Sequence, residues 1–253
     1  MKNNISVQSR LFKFGIGVFE TIKILNKPID IDKHVNRVYN SMIKLEINNI
    51  QKEYIKKYII DYIDENKIKN KVLRITIFDE GFNISTRDIS YTNEMYKKGV
   101  SLTISDIIRS ENILYRHKTT NYFENIYSKE KANKNGFFDA IFVNNKNEIL
   151  ETSISNIFFI KNETIFTPKS TQPILNGIMK DKVKQICNYY KIDYIEKEID
   201  LDEIKQYDAC FITNSIMGAM KVNKIDSCFY DYDNEVLDKI SKKIRDMEKE
   251  NEY

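Results

Sequence analysis

The chain has 253 residues with 40 basic and 37 acidic side chains, enough length for one large domain or two small ones, and its interspersed charges argue against a nucleic-acid surface. Three cysteines at irregular spacing, without a CxxC pair, and only two histidines argue against a zinc site. The start MKNNISVQSR lacks a secretory apolar run and no stretch approaches the roughly 20 apolar residues of a membrane span, so a cytoplasmic protein with reduced thiols is expected.

In chain order, FGIGVFETIKIL reads as the first strand, rich in β-branched and aromatic residues. HVNRVYNSMIKLEI follows as a helix with Val35, Val38, Met42 and Leu45 on one face, and the stretch Tyr54 to Ile63 repeats the pattern. VLRITIF and VSLTIS are strands. Strand character then ends at Ser105 and helical periodicity resumes near Thr120, which places a linker in SDIIRSENILYRHK. NYFENIYSKEKANKNG is an amphipathic helix stopped by Asn135-Gly136. FDAIFVN, SNIFFIKN and TIFTP are strands, a helix begins after Gly177, DACFITNS is another strand, and a last helix runs from about Glu235 into a polar end expected to fray. This order predicts an α+β fold and no regular βαβ winding; with seven glycines and no GxGxxG, a Rossmann fold has no support. The expected domains are 1–108, a linker 109–119, and 120–253.

Lys118, the Asn121-Tyr122 pair and the strand ETSISNIF carrying Glu151 stand in one segment, HKTTNYFENIYSKEKANKNGFFDAIFVNNKNEILETSISNIFF. Taken singly, Lys118 reads as a solvated lysine, Glu151 as an edge-strand glutamate, Arg37 as a helix-surface arginine, Asn176-Gly177 as a plain turn and Ser215 as a strand-end hydroxyl. In this order, together with GVFETI and LRITIF followed by Gly81, they resemble the fold-type IV pyridoxal-phosphate enzymes, the class IV aminotransferase family, over nearly the whole chain.

The resemblance implies that Lys118 forms a Schiff base with pyridoxal 5'-phosphate and that Glu151 faces the pyridine nitrogen. A lysine can join the cofactor aldehyde and later shuttle a proton, and a carboxylate keeps the ring protonated. The family's phosphate donors match Arg37 in HVNRVYNS, with Val38 where leucine is usual. They also match the backbone N–H groups of Ile178 and Met179 in ILNGIMKDKV, and the Ser215 hydroxyl in FITNSIMGAMKV. It further implies a small N-terminal α/β domain, a larger C-terminal domain with a β-barrel-like core, and a homodimer acting on a small molecule.

Within the family, KTTN, LNGIMK and NSIMGAMKV resemble the lyases that convert 4-amino-4-deoxychorismate to 4-aminobenzoate and pyruvate in folate biosynthesis. The R-x-H carboxylate trap of the D-amino-acid aminotransferases is not seen. A branched-chain or D-amino-acid transaminase is the alternative, and a noncatalytic binding protein of the same fold the second. Departures from the pattern are Ile16 in place of aspartate, FDEG after Ile77, Lys180 in place of arginine, and Gly218 and Lys221 in place of prolines. His34 either orients Arg37 or is structural, His117 is equally ambiguous, and the cysteines read as small apolar core residues.

Overall fold

Alternating burial along VFETIKI and VLRITIF makes one face of a sheet apolar, and two amphipathic helices cover it. The computed structural model describes residues 1–2, 4–230 and 233–250, so the last part of the polar end lies outside the described residues. Two units result. The first comprises residues 1–90, 117–122 and the chain from 248; the second comprises 91–116 and 123–247. The expected linker is therefore shared, 109–116 lying in the second unit and 117–119 in the first.

In the first unit a short helix α1 (Arg10–Phe14) leads into β1 (Gly17–Ile24), then α2 (Ile31–Lys44), α3 (Lys52–Glu65), β2 (Lys71–Phe78) and β3 (Gly81–Asp88). The strands form an antiparallel sheet in the order β1-β2-β3. Its core joins Val18, Ile22 and Ile24 to Val35, Val38 and Met42 of α2 and to Ile55, Ile59 and Ile63 of α3. Leu45, expected on that face, packs against the same core from the C-cap of α2, half-buried. β3 was not expected, because its outer half, STRD, is exposed on the sheet edge and carries no apolar alternation.

The second unit begins with α4 (Asn93–Lys98), β4 (Val100–Arg109) and α5 (Phe123–Lys134). It continues through β5 (Asp139–Asn144), β6 (Ile149–Thr152), β7 (Asn156–Lys161), β8 (Thr164–Pro168), α6 (Ile178–Tyr190) and β9 (Tyr194–Lys197). β10 (Ala209–Asn214), β11 (Gly218–Ile225), β12 (Cys228–Phe229) and α7 (Glu235–Glu250), as far as Met247, complete it. The nine-stranded sheet runs β6-β5-β4-β11-β10-β7-β8-β9, with β12 beside β11. It is mixed, with parallel pairs at β11–β4, β4–β5 and β8–β9. Its two ends are drawn together where Ile149 N donates to Ile199 O (2.8 Å) and Leu201 N to Asn147 O (2.9 Å), which gives the sheet its barrel-like curl.

Period-two alternation serves both faces of this sheet. Ile157, Phe159, Cys210 and Ile212 point into the enclosed core, whereas Phe158, Ile160, Ala209 and Phe211 pack outward against Val183 and Ile186 of α6 and Leu237 and Ile240 of α7. Each such aliphatic side chain, fully buried, contributes on the order of 1.5–3 kcal/mol of hydrophobic stabilisation. Cys187 and Cys210 lie in these cores as free thiols, and burial pushes the Cys187 thiol up to about 12, so neither is an activated thiolate.

Candidate active site

Lys118 is pinned by its main chain to β1. Phe19 N donates to Lys118 O (2.9 Å) and Thr120 N to Gly17 O (2.9 Å), with Val18 and Thr119 bridged between them. Gly17 is required for this approach: a Cβ there would lie 2.9 Å from Ile77 O and 3.1 Å from Thr120 Oγ1. The Lys118 ammonium lies 4.5 Å from the centre of the Phe19 ring and 5.1 Å from that of Tyr122. These two rings meet edge to face at 5.2 Å, and the Arg74 guanidinium covers the Phe19 ring at 3.6 Å. His117 is a structural tie, since its Nδ1 meets Ser41 Oγ of α2 at 2.9 Å, and burial, followed by the charge of Lys44, lowers its pKa.

Arg37, itself half-buried, joins the buried Glu20 and His34 in a triad that sequence reasoning saw only in part. Its Nε and Nη2 donate to the two oxygens of Glu20 (2.6 and 2.8 Å), and His34 Nδ1 lies 2.7 Å from Glu20 Oε2. Burial opposes ionisation of Glu20, yet the Arg37 guanidinium and then His34 hold its carboxyl far below the usual carboxylate range. The fork fixes the plane of Arg37. A signal was present in the sequence: Glu20 is a charged residue inside the otherwise apolar strand GVFETI.

Glu151, on β6, is held in the second unit by a residue that sequence reasoning assigned to a linker. Arg109 ends β4, is 1 % exposed, and donates from Nη1 to Glu151 Oε1 (2.8 Å) and from Nε to Glu124 Oε1 (2.8 Å). Its guanidinium carbon lies over the Phe142 ring (3.6 Å to the ring centre) and over that of Tyr115 (4.5 Å). Leu175 N reaches Glu151 Oε2 at 3.2 Å. A carboxylate offers about four acceptor positions. Glu151 so held can accept a further N–H from a heterocycle.

Ile178 and Met179 open α6, whose N-cap Gly177 makes no side-chain cap hydrogen bond. The turn presents backbone N–H groups and the positive end of the helix dipole, the arrangement that receives an anion. Ser215 sits in the turn between β10 and β11, where Asn214 Oδ1 accepts from Ile216 N (3.0 Å) and Met217 N (2.9 Å). Gly218 follows at φ +70°, a conformation closed to proline, which explains why a glycine stands where the family places one. Lys180 is not a ligand of the site: its ammonium is buried on Pro168 O (2.5 Å), Ser170 Oγ and Glu196 Oε2 (both 3.0 Å).

The first unit thus brings Lys118 beside Phe19 and Tyr122 and Arg37 beside Glu20; the second holds Glu151, the start of α6 and Ser215. Each unit by itself offers groups that suit pyridoxal phosphate: the second a buried carboxylate held by Arg109 and a glycine-led helix start, the first a lysine beside aromatic rings. Family comparison agrees. Residues 17–225 match the amino-transferase class IV family, and the chain belongs to it. It is a pyridoxal-phosphate-dependent enzyme of the lyase or aminotransferase kind.

Among relatives, it is 27% identical over 238 residues to the D-alanine aminotransferase of Bacillus licheniformis, covering 88% of this chain and 83% of that one. It is 24% identical over 236 residues to the aminodeoxychorismate lyase of Bacillus subtilis, covering 87% and 80%. A Legionella pneumophila crystal structure, provisionally described as a 4-amino-4-deoxychorismate lyase, superposes with a TM-score of 0.90 at 25% identity, over 98% of this chain and 96% of that one.

Proposed function

We propose that this enzyme is an aminodeoxychorismate lyase, splitting 4-amino-4-deoxychorismate into 4-aminobenzoate and pyruvate, with Lys118 as the catalytic lysine. The observation that carries the reading is the helix start NGIMK at 176–180, of the lyase type in sequence, with glycine at the N-cap of α6. When bound, pyridoxal phosphate would supply an aldehyde for a primary amine and a protonated ring that draws electrons from the adjacent carbon.

Lys118 would hold the cofactor through its side-chain amine until a substrate amine took its place. Its freed amine then removes the proton from the amine-bearing ring carbon. The same group returns that proton to the methylene carbon of the enolpyruvyl group as its carbon–oxygen bond to the ring breaks. The ring becomes aromatic, pyruvate departs, and no oxidant or acceptor is consumed. Glu151, oriented by Arg109, keeps the pyridine nitrogen protonated. Arg37, the Ile178 and Met179 amides and the Ser215 hydroxyl anchor the phosphate.

The reading includes a homodimer in the cytoplasm. The dimer is supported by α5, whose outward residues Phe123, Ile126 and Tyr127 are exposed apolar side chains in the single chain. Among the described residues, no helix is long and apolar enough to cross a membrane.

The second reading is an amino-acid transaminase, favoured by the similar identity to a D-alanine aminotransferase. Incubating the purified enzyme with 4-amino-4-deoxychorismate and no keto acid separates them. The lyase releases pyruvate and 4-aminobenzoate in equal amounts; absence of pyruvate, with amino transfer from D-alanine or a branched-chain amino acid to a keto acid, overturns the reading.

A further inference from the structure

We infer that Asn156 is the positioning residue that sets the spacing of two phosphate-facing groups, the α6 start and the Asn214–Ser215 turn. The inference rests on the phosphate assignment proposed above. Asn156 opens β7 and pairs in the ladder with Thr213 of β10. Its Nδ2 donates to both Thr213 O and Thr213 Oγ1 (3.1 Å each), two residues before Ser215. The other side of the same planar amide lies against Gly177. A Cβ on that glycine would fall 2.1 Å from Asn156 Oδ1 and 2.7 Å from its Cγ.

The reason for glycine at 177 is therefore spatial. Its φ of −78° is open to any residue, so conformational freedom is not what the position needs. The amide fills the place of a side chain and fixes how near the helix start can come to the end of β10. Ser155 reinforces the same junction, its Oγ taking Asn214 Nδ2 at 3.3 Å, while Tyr91 Oη takes the same nitrogen at 3.1 Å. A phosphate held by Ile178 N, Met179 N and Ser215 Oγ needs those donors at one separation. Asn156 is the side chain in contact with both supports. Serine is too short to span them, and aspartate lacks the donor and adds a negative charge near the anion.

The test uses cofactor-free full-length protein titrated by fluorescence with pyridoxal 5'-phosphate and, separately, with phosphate-free pyridoxal. Asn156→Ala is expected to weaken pyridoxal phosphate on the order of tenfold, as loss of a residue that orients a ligating group does elsewhere, and to leave pyridoxal binding unchanged. Gly177→Ala, which disturbs the contact from the helix side, should show the same selective loss and add little in the Asn156→Ala background. The far-UV spectrum and unfolding midpoint of each variant serve as the check on folding. Should Asn156→Ala lose both ligands through misfolding, Asn156→Ser and Gly177→Ala are read in the same way. Equal losses for both ligands in folded variants, or no loss for either, overturn the inference. A wild-type protein that binds pyridoxal as tightly as pyridoxal phosphate overturns the phosphate assignment, and the inference with it. A wild type that prefers the phosphate, with variants that keep that preference, overturns the inference alone.

Discussion

Arg109 has exchanged its hydration for two carboxylates and two aromatic rings. Burying a guanidinium is unfavourable unless each partner stays in place, so breaking the pair from one side strands a charge. Arg109→Met leaves Glu151 without its positively charged donor, and we expect a loss of about 3–5 kcal/mol, read by denaturant unfolding. Glu151→Gln in that background should recover much of the loss, because the stranded carboxylate is gone. Additive losses would mean that the two side chains do not act as a pair. Lys118, Glu151 and Ser215 were legible as candidates because their residue types follow one another in a fixed order. Arg109 was not, and Glu20, although conspicuous as a charge in an apolar strand, was not paired with Arg37, since a charged residue within a strand sequence carries no sign of the partner that folding brings to it.

Helix α5 shows how an element can be found while the direction of its faces stays undetermined. Its span agrees with the expected helix, including the stop at Gly136, which takes φ +81°. The side facing the sheet is polar or small: Asn125 donates to Ser153 O (2.7 Å), Ser128 meets Ser105 (2.9 Å), and Ala132 is buried. The apolar residues Phe123, Ile126 and Tyr127 face outward. Amphipathicity gives a periodicity but not the direction of burial when a second surface competes for the apolar face. If that surface is a partner subunit, Phe123→Glu with Ile126→Lys should convert a dimer to a monomer in sedimentation velocity, with an unchanged far-UV spectrum. An undiminished dimer would remove α5 from the interface. The strands missed from sequence have a related cause. β9 has four residues, and β11 reads AMKVNKI with lysines on its half-buried positions; neighbours in the sheet decide their conformation more than propensity does.

Across the whole molecule, the α+β class and the seven expected strands were accessible because alternation and turn residues are local properties. Membership of unit was not, because β4 pairs in parallel with β5 and β11, partners far along the chain, and the Lys118 segment returns to β1. Such non-local pairing leaves no periodic trace in its own stretch of sequence. It is also what gives Lys118 its fixed main chain, although the residue lies in neither a helix nor a strand.

The central claim is that Lys118 is the amine that carries the cofactor. The most direct measurement is reduction of the pyridoxal-phosphate-loaded enzyme with borohydride, followed by proteolysis and mass mapping of the modified peptide. The account predicts a single phosphopyridoxyl group on Lys118 and none on a Lys118→Ala variant that keeps the wild-type far-UV spectrum. A modified lysine elsewhere in the chain, or equal modification of the alanine variant, would contradict it.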